Sequence, residues 1–371
     1  SDSASDRAWM ARAIALAERG RGSVRPNPLV GCVLVRDGEV VGEGFHERPG
    51  GPHAEVAALA QARERAAGAT AYVTLEPCDH TGRTGPCTTA LLDAAVGRVV
   101  YAVSDPNPDA AGGGDRLAAT GIEVEGGVLA AWAERQNDVF LSRLRTGRPH
   151  LTLKLAQTWD GALVAPGRRW VTGPAARTTV HRMRARADAV LVGVGTVLAD
   201  DPRLDVRRVD VGPDAQPRPV VLDSHGRTPA TAQVVRDGAV VVTVEPGAPA
   251  WRRALAAAGT EVVTVAADAR GLVDPGAAMA ALADRGIHAV LAEPGATLAA
   301  SLVAAGVVDR LVVHVAGQAT RPGLRPALAG CTRPPAGADW TWRPVASGTL
   351  GTDLELVAAP SSRSSEQRRS A

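Results

Sequence analysis

The sequence is poor in aromatic residues, in cysteine and in net charge. Seven Trp, two Tyr and two Phe among 371 residues are too few for a surface that stacks single-stranded nucleic acid. Four cysteines cannot form a disulfide framework in a chain of this length. Because 41 Lys+Arg nearly balance 39 Asp+Glu, the chain also lacks the basic excess with which proteins bind nucleic acid or membrane surfaces.

Long apolar segments are absent as well. No apolar run approaches the roughly 20 residues of a membrane-spanning helix, and the polar residues 1–6 do not resemble a signal peptide. Hydrophobic residues make up 45% and charged residues 22% of the chain, which is an ordinary globular composition. We therefore expect a soluble, cytoplasmic protein with reduced thiols, a small-molecule substrate and no nucleic-acid or membrane partner.

Lysine is almost missing, although basic residues are common. Lys154 is the only lysine among the 41 basic residues. A retained ammonium suits a position where a compact point charge is needed and a planar guanidinium cannot serve. Composition alone leaves chance as an equally good explanation.

The first part of the chain alternates helical and strand patterns, which predicts a three-layer α/β/α domain. Strands are predicted at 31–36, 40–45, 70–75 and 98–103, the first two forming a hairpin. Helices are predicted at 6–20 with Asp6 as N-cap, at 52–67 beginning with Pro52, at 86–96 and at 128–144. The segment 105–114 is predicted to be a long loop.

The pattern breaks at 146–149 and then restarts as a second α/β domain. Strands are predicted at 151–155, 189–194, 219–223, 240–244, 289–292 and 311–315, and helices at 174–187, 250–258 and 276–285. The predicted domains are residues 1–147 and 148–359, followed by a disordered Ser/Arg-rich tail at 360–371.

Three short motifs in the first domain predict a zinc site. His53-Ala54-Glu55 opens one predicted helix, Pro77-Cys78 follows a strand, and Pro86-Cys87 opens the next helix. They match the His-x-Glu and Pro-Cys signature of zinc deaminases, except for a longer spacing between the cysteines. His53, Cys78 and Cys87 would hold one Zn²⁺ and leave its fourth position for water. The remaining two cysteines, Cys32 and Cys331, are better explained by core packing.

Glu55 is the predicted general acid and base of this site. It would carry a proton to the ring nitrogen of the substrate and to the leaving ammonia. At the start of a helix, the positive end of the dipole would favour the thiolate of Cys87. Residues two apart on a regular helix point about 200° apart, so we expect the turn holding His53 and Glu55 to be incompletely helical.

Longer motifs make the match more specific. Residues 26–31 (PNPLVG), 53–55 (HAE), 74–87 (TLEPCDHTGRTGPC) and 105–108 (DPNP) resemble the bifunctional riboflavin-biosynthesis deaminase–reductase family. In the second half, 153–156 (LKLA), 160–161 (DG) and 192–204 (VGVGTVLADDPRL) resemble its reductase domain. The resemblance spans about residues 8 to 358.

The resemblance implies two consecutive reactions. The first is hydrolytic deamination of 2,5-diamino-6-(5-phosphoribosylamino)pyrimidin-4(3H)-one, and the second is NADPH-dependent reduction of its ribosyl chain to ribityl. It also implies a cytidine-deaminase-like first domain and a dihydrofolate-reductase-like second domain, and we expect a homo-oligomer. In the first domain it places Asn27 and His46 near the pyrimidine and its phosphate, and Arg83 at the phosphate.

In the second domain the residues alone predict less. A Gly-rich turn at 193–195 follows a strand, but the third glycine of a dinucleotide fingerprint is replaced by Leu198, so the pattern does not predict a Rossmann fold. The turn Glu293–Thr297 precedes a helix whose backbone N–H groups could hold a phosphate.

The resemblance assigns the remaining site residues of the second domain. Lys154 is placed as catalytic, with Asp201 as its polar partner or as a partner of the ribose hydroxyls. The residues expected around the ribose phosphate are Arg184, Leu204 and Arg207. Those expected around NADPH are Ala156, Trp170, Thr196, Asp200, Ser224, Glu293, Gly295, Ala296 and Thr297.

Three departures from the family pattern fall in this domain. Ala162 stands where the family has a basic residue, Arg168 lies in a shortened segment without the usual serine, and Pro294 offers no N–H to a phosphate. Two other interpretations therefore stay open: a working deaminase with a diverged, non-catalytic C-terminal module, or a nucleic-acid deaminase with an accessory domain.

Overall fold

The computed structural model describes residues 4–80, 85–107, 110–163, 170–211, 216–245, 247–317 and 342–360. The chain divides into two compact units, Ser1–Thr146 and Gly147–Ala371. Within the described residues, no helix has the length and apolar character needed to cross a membrane.

The first unit is a five-stranded sheet with helices on both faces. Its strands are β1 (Gly31–Arg36), β2 (Glu39–Phe45), β3 (Thr70–Leu75), β4 (Arg98–Val103) and β5 (Glu123–Gly126). Its helices are α1 (Ala4–Ala17), α2 (Ala54–Ala62), α3 (Cys87–Asp93), α4 (Gly113–Ala119), α5 (Ala130–Gln136) and α6 (Asp138–Thr146). The strand order is β2-β1-β3-β4-β5. Strand β1 is antiparallel to both neighbours, and β3, β4 and β5 are parallel.

Strand β1 is buried on both faces because helices cover it from both sides. Cys32 and Leu34 belong to the core that includes Ala58 of α2, and Val33 belongs to the core that includes Met10 of α1. Alternate residues of a strand point to opposite faces, so the apolar run of β1 serves two cores. This confirms the predicted three-layer arrangement and the core position of Cys32; Cys331 lies outside the described residues.

The predicted role of Asp6 is wrong. The helix begins at Ala4, and Asp6 lies in its first turn with 4% of its surface exposed. Its carboxylate accepts hydrogen bonds from Tyr72 Oη at 2.7 Å and from Arg98 Nη1 at 2.9 Å. Burial against β3 and β4 determines its place, because a buried carboxylate needs paired donors.

Two further predictions of helices need correction. The helix predicted at 128–144 is interrupted at Asn137, whose side chain binds Leu29 N at 2.7 Å and Leu29 O at 2.8 Å. The helix predicted from Pro52 begins at Ala54, with His53 as its N-cap. The prediction also missed α4, which begins inside the Gly-rich part of the expected loop, and β5, which follows α4.

The second unit contains a larger sheet. Its strands are β6 (His150–Thr158), β7 (Ala189–Gly193), β8 (Arg218–Leu222), β9 (Val240–Thr243), β10 (Glu261–Thr264), β11 (Ala289–Ala292), β12 (Arg310–Ala316), β13 (Trp342–Leu350) and β14 (Asp353–Pro360). Its helices are α7 (Pro174–Ala185), α8 (Val194–Asp200), α9 (Pro249–Ala257), α10 (Pro275–Ala283) and α11 (Ala296–Ala304). The order of the described strands is β10-β9-β8-β7-β11-β6-β12-β14-β13.

The strands from β10 to β12 in this order are parallel, and the last two pairs are antiparallel. The prediction missed α8, β10 and the hairpin of β13 and β14. Pro360, predicted as the first residue of a disordered tail, ends β14 and pairs with Trp342. Residues 361–371 lie outside the described part of the chain.

The alternation of side chains along β6 determines which face of the sheet carries Lys154. Leu151, Leu153 and Leu155 are buried in the core on one face of the sheet. Lys154 and Ala156 therefore point to the opposite face. Lys154 is half-buried there.

Glycines in β2 let α2 approach the sheet closely. A Cβ on Gly44 would lie 2.3 Å from Ala54 O and 2.5 Å from Ala58 N, both backbone atoms of α2. We expect Gly44→Ala to push α2 away from β2 and to lower the free energy of unfolding by about 1–3 kcal/mol, the usual cost of overpacking.

Thermal or urea unfolding of the variant measures this loss. Gly85→Ala is the matched control, because a Cβ on Gly85 meets no atom within 4 Å. Equal stability of the two variants would contradict the close approach of α2 to β2.

Candidate functional site

Three potential metal ligands meet at one edge of the first sheet. His53 precedes α2, Cys78 follows β3, and Cys87 is the first residue of α3. Their donor atoms all lie within 4.8 Å of one another. His53 Nδ1 is 3.1 Å from Cys87 Sγ and 3.5 Å from Cys78 Sγ. The structure thus brings together the three residues of the predicted zinc site.

The expected break in helical geometry between His53 and Glu55 is present. His53 is the N-cap, with an extended backbone at φ −69° and ψ 160°, and Glu55 lies in the first turn of α2. Because His53 is outside the helix, its ring is not bound to the 100° step per residue that separates helical side chains. Both side chains line the same pocket.

Burial and hydrogen bonds shift the pKa values of the residues in this cluster. Glu55 is 3% exposed, and burial raises the pKa of its carboxyl to about 7. The hydrogen bond from Cys87 lowers the pKa of the Cys78 thiol, and the same bond raises the pKa of Cys87. The two thiols therefore titrate as a pair, and bound zinc would hold both as thiolates.

The donor set fits zinc. One imidazole and two sulfurs converge on a single point, and a catalytic zinc site combines three such ligands with one open position. Glu55 lies beside the ligands in the same cavity. It is thus placed to exchange a proton with a group held at that position.

The cavity beside these ligands has a volume of about 260 Å³. Asn27 and His46, both predicted as substrate-binding residues, line it. Several residues that were not predicted also line the cavity, among them Glu76, His80, Asp105, Asn107 and Phe140. The first two stand within the 74–87 motif and the next two within the 105–108 motif, so the motifs carried a signal for them. The predicted Arg83 lies outside the described residues.

A chain of hydrogen bonds fixes Asn27 in the cavity wall. His46 Nδ1 lies 3.0 Å from Pro52 O, and His46 Nε2 lies 3.0 Å from Asn27 Nδ2. Because a carbonyl only accepts, the His46 ring carries its proton on Nδ1 and accepts from Asn27 at Nε2. Burial also lowers the pKa of His46, which favours this neutral ring.

Glu76 supports the opposite wall of the cavity. Its carboxylate accepts from Asp105 N at 3.0 Å and from Gly114 N at 2.9 Å. A Cβ on Gly113 would lie 1.8 Å from Pro77 O. Only glycine allows α4 to lie this close to the segment that carries Cys78.

In the second unit, the predicted cofactor residues gather at the carboxyl ends of parallel strands. Ala156 is in β6, Thr196 follows β7, Ser224 follows β8, and Gly295 follows β11. Strands β7 and β11 are neighbours, and the chain leaves them toward opposite sides of the sheet. Open α/β sheets bind ligands at such a switch point. A Cβ on Gly195 or Gly295 would meet open space, which leaves room for a cofactor.

The other predicted cofactor residues differ in their surroundings. Asp200 and Thr297 are exposed, and Ala296 begins α11. Trp170 is 47% exposed, and the Arg177 guanidinium lies 5.3 Å from the centre of its ring. Ser224 Oγ accepts a hydrogen bond from Val273 N at 2.9 Å.

Arg184 and Glu293, assigned to different ligands by the sequence analysis, bind each other. Arg184 Nε is 2.7 Å from Glu293 Oε1, and Arg184 Nη2 is 2.9 Å from Oε2. Arg184 Nη1 donates to Asp205 O at 3.0 Å. Arg184 is 9% exposed, and these bonds use three of its five N–H donors, so its predicted contact with the ribose phosphate stays a prediction.

Asp201 and Leu204 both contact other parts of the second unit. The Asp201 carboxylate accepts from Gln233 N at 2.8 Å, and the negative charge that acts on Lys154 is Glu293. Leu204 is 2% exposed within a core cluster, so its side chain does not face a substrate. Arg207 is exposed and pairs with Asp205.

Lys154 lies near this charged group. Burial lowers the pKa of its ammonium, and the Glu293 carboxylate opposes that shift. Ala162 is 2% exposed, and its N–H and C=O both bind Thr158 in the turn after β6. Pro294 is also buried, and Arg168 lies outside the described residues.

Each of the two units matches a known protein family. Residues 3–103 match the cytidine and deoxycytidylate deaminase zinc-binding region, and residues 149–320 match the RibD C-terminal domain. The riboflavin biosynthesis protein RibD of Escherichia coli is 42% identical over 345 residues, covering 86% of this chain and 92% of that protein. That of Aquifex aeolicus is 39% identical over 326 residues, covering 86% and 89%.

Solved structures agree over the whole chain. Acinetobacter baumannii RibD has a TM-score of 0.81 at 38% identity, covering 96% of this chain and 99% of its own. A diaminohydroxyphosphoribosylaminopyrimidine deaminase/5-amino-6-(5-phosphoribosylamino)uracil reductase from Thermotoga maritima has a TM-score of 0.81 at 31% identity, with the same coverage. The cytidine-deaminase-like first unit and dihydrofolate-reductase-like second unit follow from these matches. The chain therefore belongs to the RibD family of riboflavin biosynthesis proteins.

Proposed function

We propose that this chain catalyses two consecutive steps of riboflavin biosynthesis. Residues 1–147 deaminate 2,5-diamino-6-(5-phosphoribosylamino)pyrimidin-4(3H)-one, and residues 148–359 reduce the ribosyl chain of the product to ribityl with NADPH. The observation that carries the proposal is the meeting of His53, Cys78 and Cys87 within 4.8 Å beside the buried Glu55. The membership of both units in one bifunctional family supports the second step.

In the first unit, His53, Cys78 and Cys87 would hold one Zn²⁺. When bound, zinc supplies a Lewis acid that makes water a nucleophile near neutral pH. Glu55, whose pKa is about 7, takes a proton from the attacking water and passes it to the ring nitrogen and the leaving ammonia. Asn27 and His46 orient the pyrimidine in the cavity, and Arg83 contacts the phosphate.

In the second unit, Lys154 acts at the sugar. When bound, NADPH supplies a hydride, which reduces the C1′ carbon of the ribosyl group. Reduction opens the ring, and the Lys154 ammonium gives its proton to the oxygen that leaves C1′. Glu293 keeps the ammonium charged, while Arg184 holds Glu293 in place. Arg207, an exposed cation of this region, meets the phosphate.

We further propose a cytoplasmic homo-oligomer that acts on a small molecule and not on nucleic acid. Cys78 and Cys87 must remain reduced to bind zinc. The outer edge of β13 has no neighbour among the described strands, and proteins cover such edges. The few aromatic residues and the net charge of +2 oppose nucleic-acid binding.

A single incubation tests both steps. Zinc-loaded protein is mixed with the diamino-pyrimidinone phosphoriboside and NADPH, and the products are identified by mass. We expect a product that is both deaminated and reduced. A deaminated, unreduced product would favour a diverged second unit, and no turnover with salt-sensitive binding of single-stranded RNA would favour a nucleic-acid deaminase.

Replacing Glu55 tests its role as proton carrier without removing a metal ligand. We expect Glu55→Gln to lower deamination by about 10²- to 10⁴-fold, the usual contribution of general acid–base catalysis. Zinc content and reduction of the supplied deaminated intermediate should stay unchanged. Glu64→Gln, at an exposed position after α2, is the matched control, and equal rates in the two variants would contradict the role of Glu55.

Replacing Lys154 tests the second step. We expect Lys154→Ala to abolish NADPH oxidation with the deaminated intermediate while deamination continues at the normal rate. Lys154→Arg should not restore reduction, because a guanidinium stays protonated and cannot give up its proton. Reduction at the normal rate in Lys154→Ala would remove Lys154 from the mechanism.

A further inference from the structure

A row of polar side chains crosses the second sheet on the face that carries Lys154. In the register of β6 and β12, Lys154 pairs with Val312 and Ala156 with His314. His314 pairs in turn with Glu355 of β14. Residues paired across neighbouring strands point to the same face, so Lys154, His314 and Glu355 share it.

His314 is an unusual residue for this position. Its side chain is 0% exposed, and its Nε2 lies 3.0 Å from Glu355 Oε2. Its Nδ1 is buried and has no hydrogen-bond partner among the described residues. Because the carboxylate of Glu355 accepts the Nε2–H, the neutral ring has a free lone pair on Nδ1.

A buried acceptor without a donor is costly, so a donor within reach is expected. His314 is the diagonal neighbour of Lys154 across β6 and β12, and long side chains reach diagonal neighbours in sheets. Lys154 in turn has three N–H donors, and both oxygens of the nearby Glu293 each accept one hydrogen bond from Arg184. A group with three donors thus lies beside a buried acceptor that lacks a donor among the described residues.

We propose that His314 is a positioning residue for Lys154: its Nδ1 accepts a hydrogen bond from the Lys154 ammonium, and Glu355 orients the ring. The proton transfer by Lys154 rests on the proposed function, whereas the hydrogen bond from Lys154 to His314 does not depend on it. The ammonium is held between a carboxylate on the β11 side and a neutral imidazole on the β12 side. A neutral acceptor stabilises the buried cation without adding a negative charge that would make proton release harder.

The effect of the Lys154 charge on the pKa of His314 agrees with this arrangement. Burial lowers the pKa of His314, and the Lys154 charge lowers it further. His314 therefore stays neutral beside the ammonium. The titratable and charged groups that face this row come from β11, α7, β12 and β14: Glu293, Arg184, His181, His314, Glu355 and Asp353.

The single lysine of the chain makes a direct test possible. In full-length protein labelled with ¹³C at lysine Cε, Lys154 gives the only lysine signal, so its pKa can be titrated by NMR without assignment. We expect His314→Phe, which removes the acceptor, to lower the pKa of Lys154 by about one unit, as loss of a hydrogen bond to a charged group does.

Two further variants distinguish the roles of the two ring nitrogens of His314. Asparagine can place an acceptor near the position of Nδ1, whereas glutamine can reach only the position of Nε2. His314→Asn should therefore keep the pKa of Lys154 near its original value, and His314→Gln should lower it as His314→Phe does. His225→Phe, at an exposed position, is the control and should leave the signal unchanged.

Reduction kinetics give a second readout. We expect kcat for reduction to fall about tenfold in His314→Phe and His314→Gln, with an unchanged KM for NADPH, and deamination by the same chain reports correct folding. An unchanged pKa of Lys154 in His314→Phe, or equal values in His314→Asn and His314→Gln, would overturn the inference. Absence of reduction in the unmodified protein would refute the proposed function, while the titration still decides the role of His314.

Discussion

His53 and Cys87 are 34 positions apart in the chain, yet their donor atoms lie 3.1 Å apart. The direction of the strands makes this possible: β3 ends at the edge where α2 and α3 begin, so a strand end and two helix starts supply the three ligands. The second unit uses the same constraint, because the residues after β7, β8 and β11 meet at one edge of its sheet. Both sites depend on parallel strands that end side by side and on chain reversals into helices.

The sequence predicts the first site well because its information is local. Each ligand stands in a short motif at an element boundary, and the structure confirms the expected break between His53 and Glu55. The second site depends on distant pairs that leave no local pattern. Arg184 and Glu293 are separated by 109 positions, and Leu204 lies in a motif but turns into the core. A single histidine in an apolar strand, such as His314, gives no signal before its neighbours on β6 and β14 are known.

A buried glutamate has a raised pKa in the first unit and a lowered pKa in the second. In the first, one carboxyl group is buried beside neutral or metal-binding groups, and its pKa rises to about 7. In the second, Glu293 is buried with its cationic partners, and the pKa of its carboxyl falls. The pKa of a buried glutamate is thus raised in one unit and lowered in the other, because desolvation dominates in the first case and paired charges in the second.

The carbonyl of Pro52 has a consequence for the orientation of Asn27. It fixes the proton of His46 on Nδ1, and His46 in turn fixes the amide of Asn27 with its nitrogen toward the ring. The amide oxygen of Asn27 and its second N–H remain for other partners at the cavity that Asn27 lines. The orientation of this amide is therefore set at the backbone, because a flip of Asn27 would place its oxygen against the acceptor nitrogen of His46 and would lose their hydrogen bond.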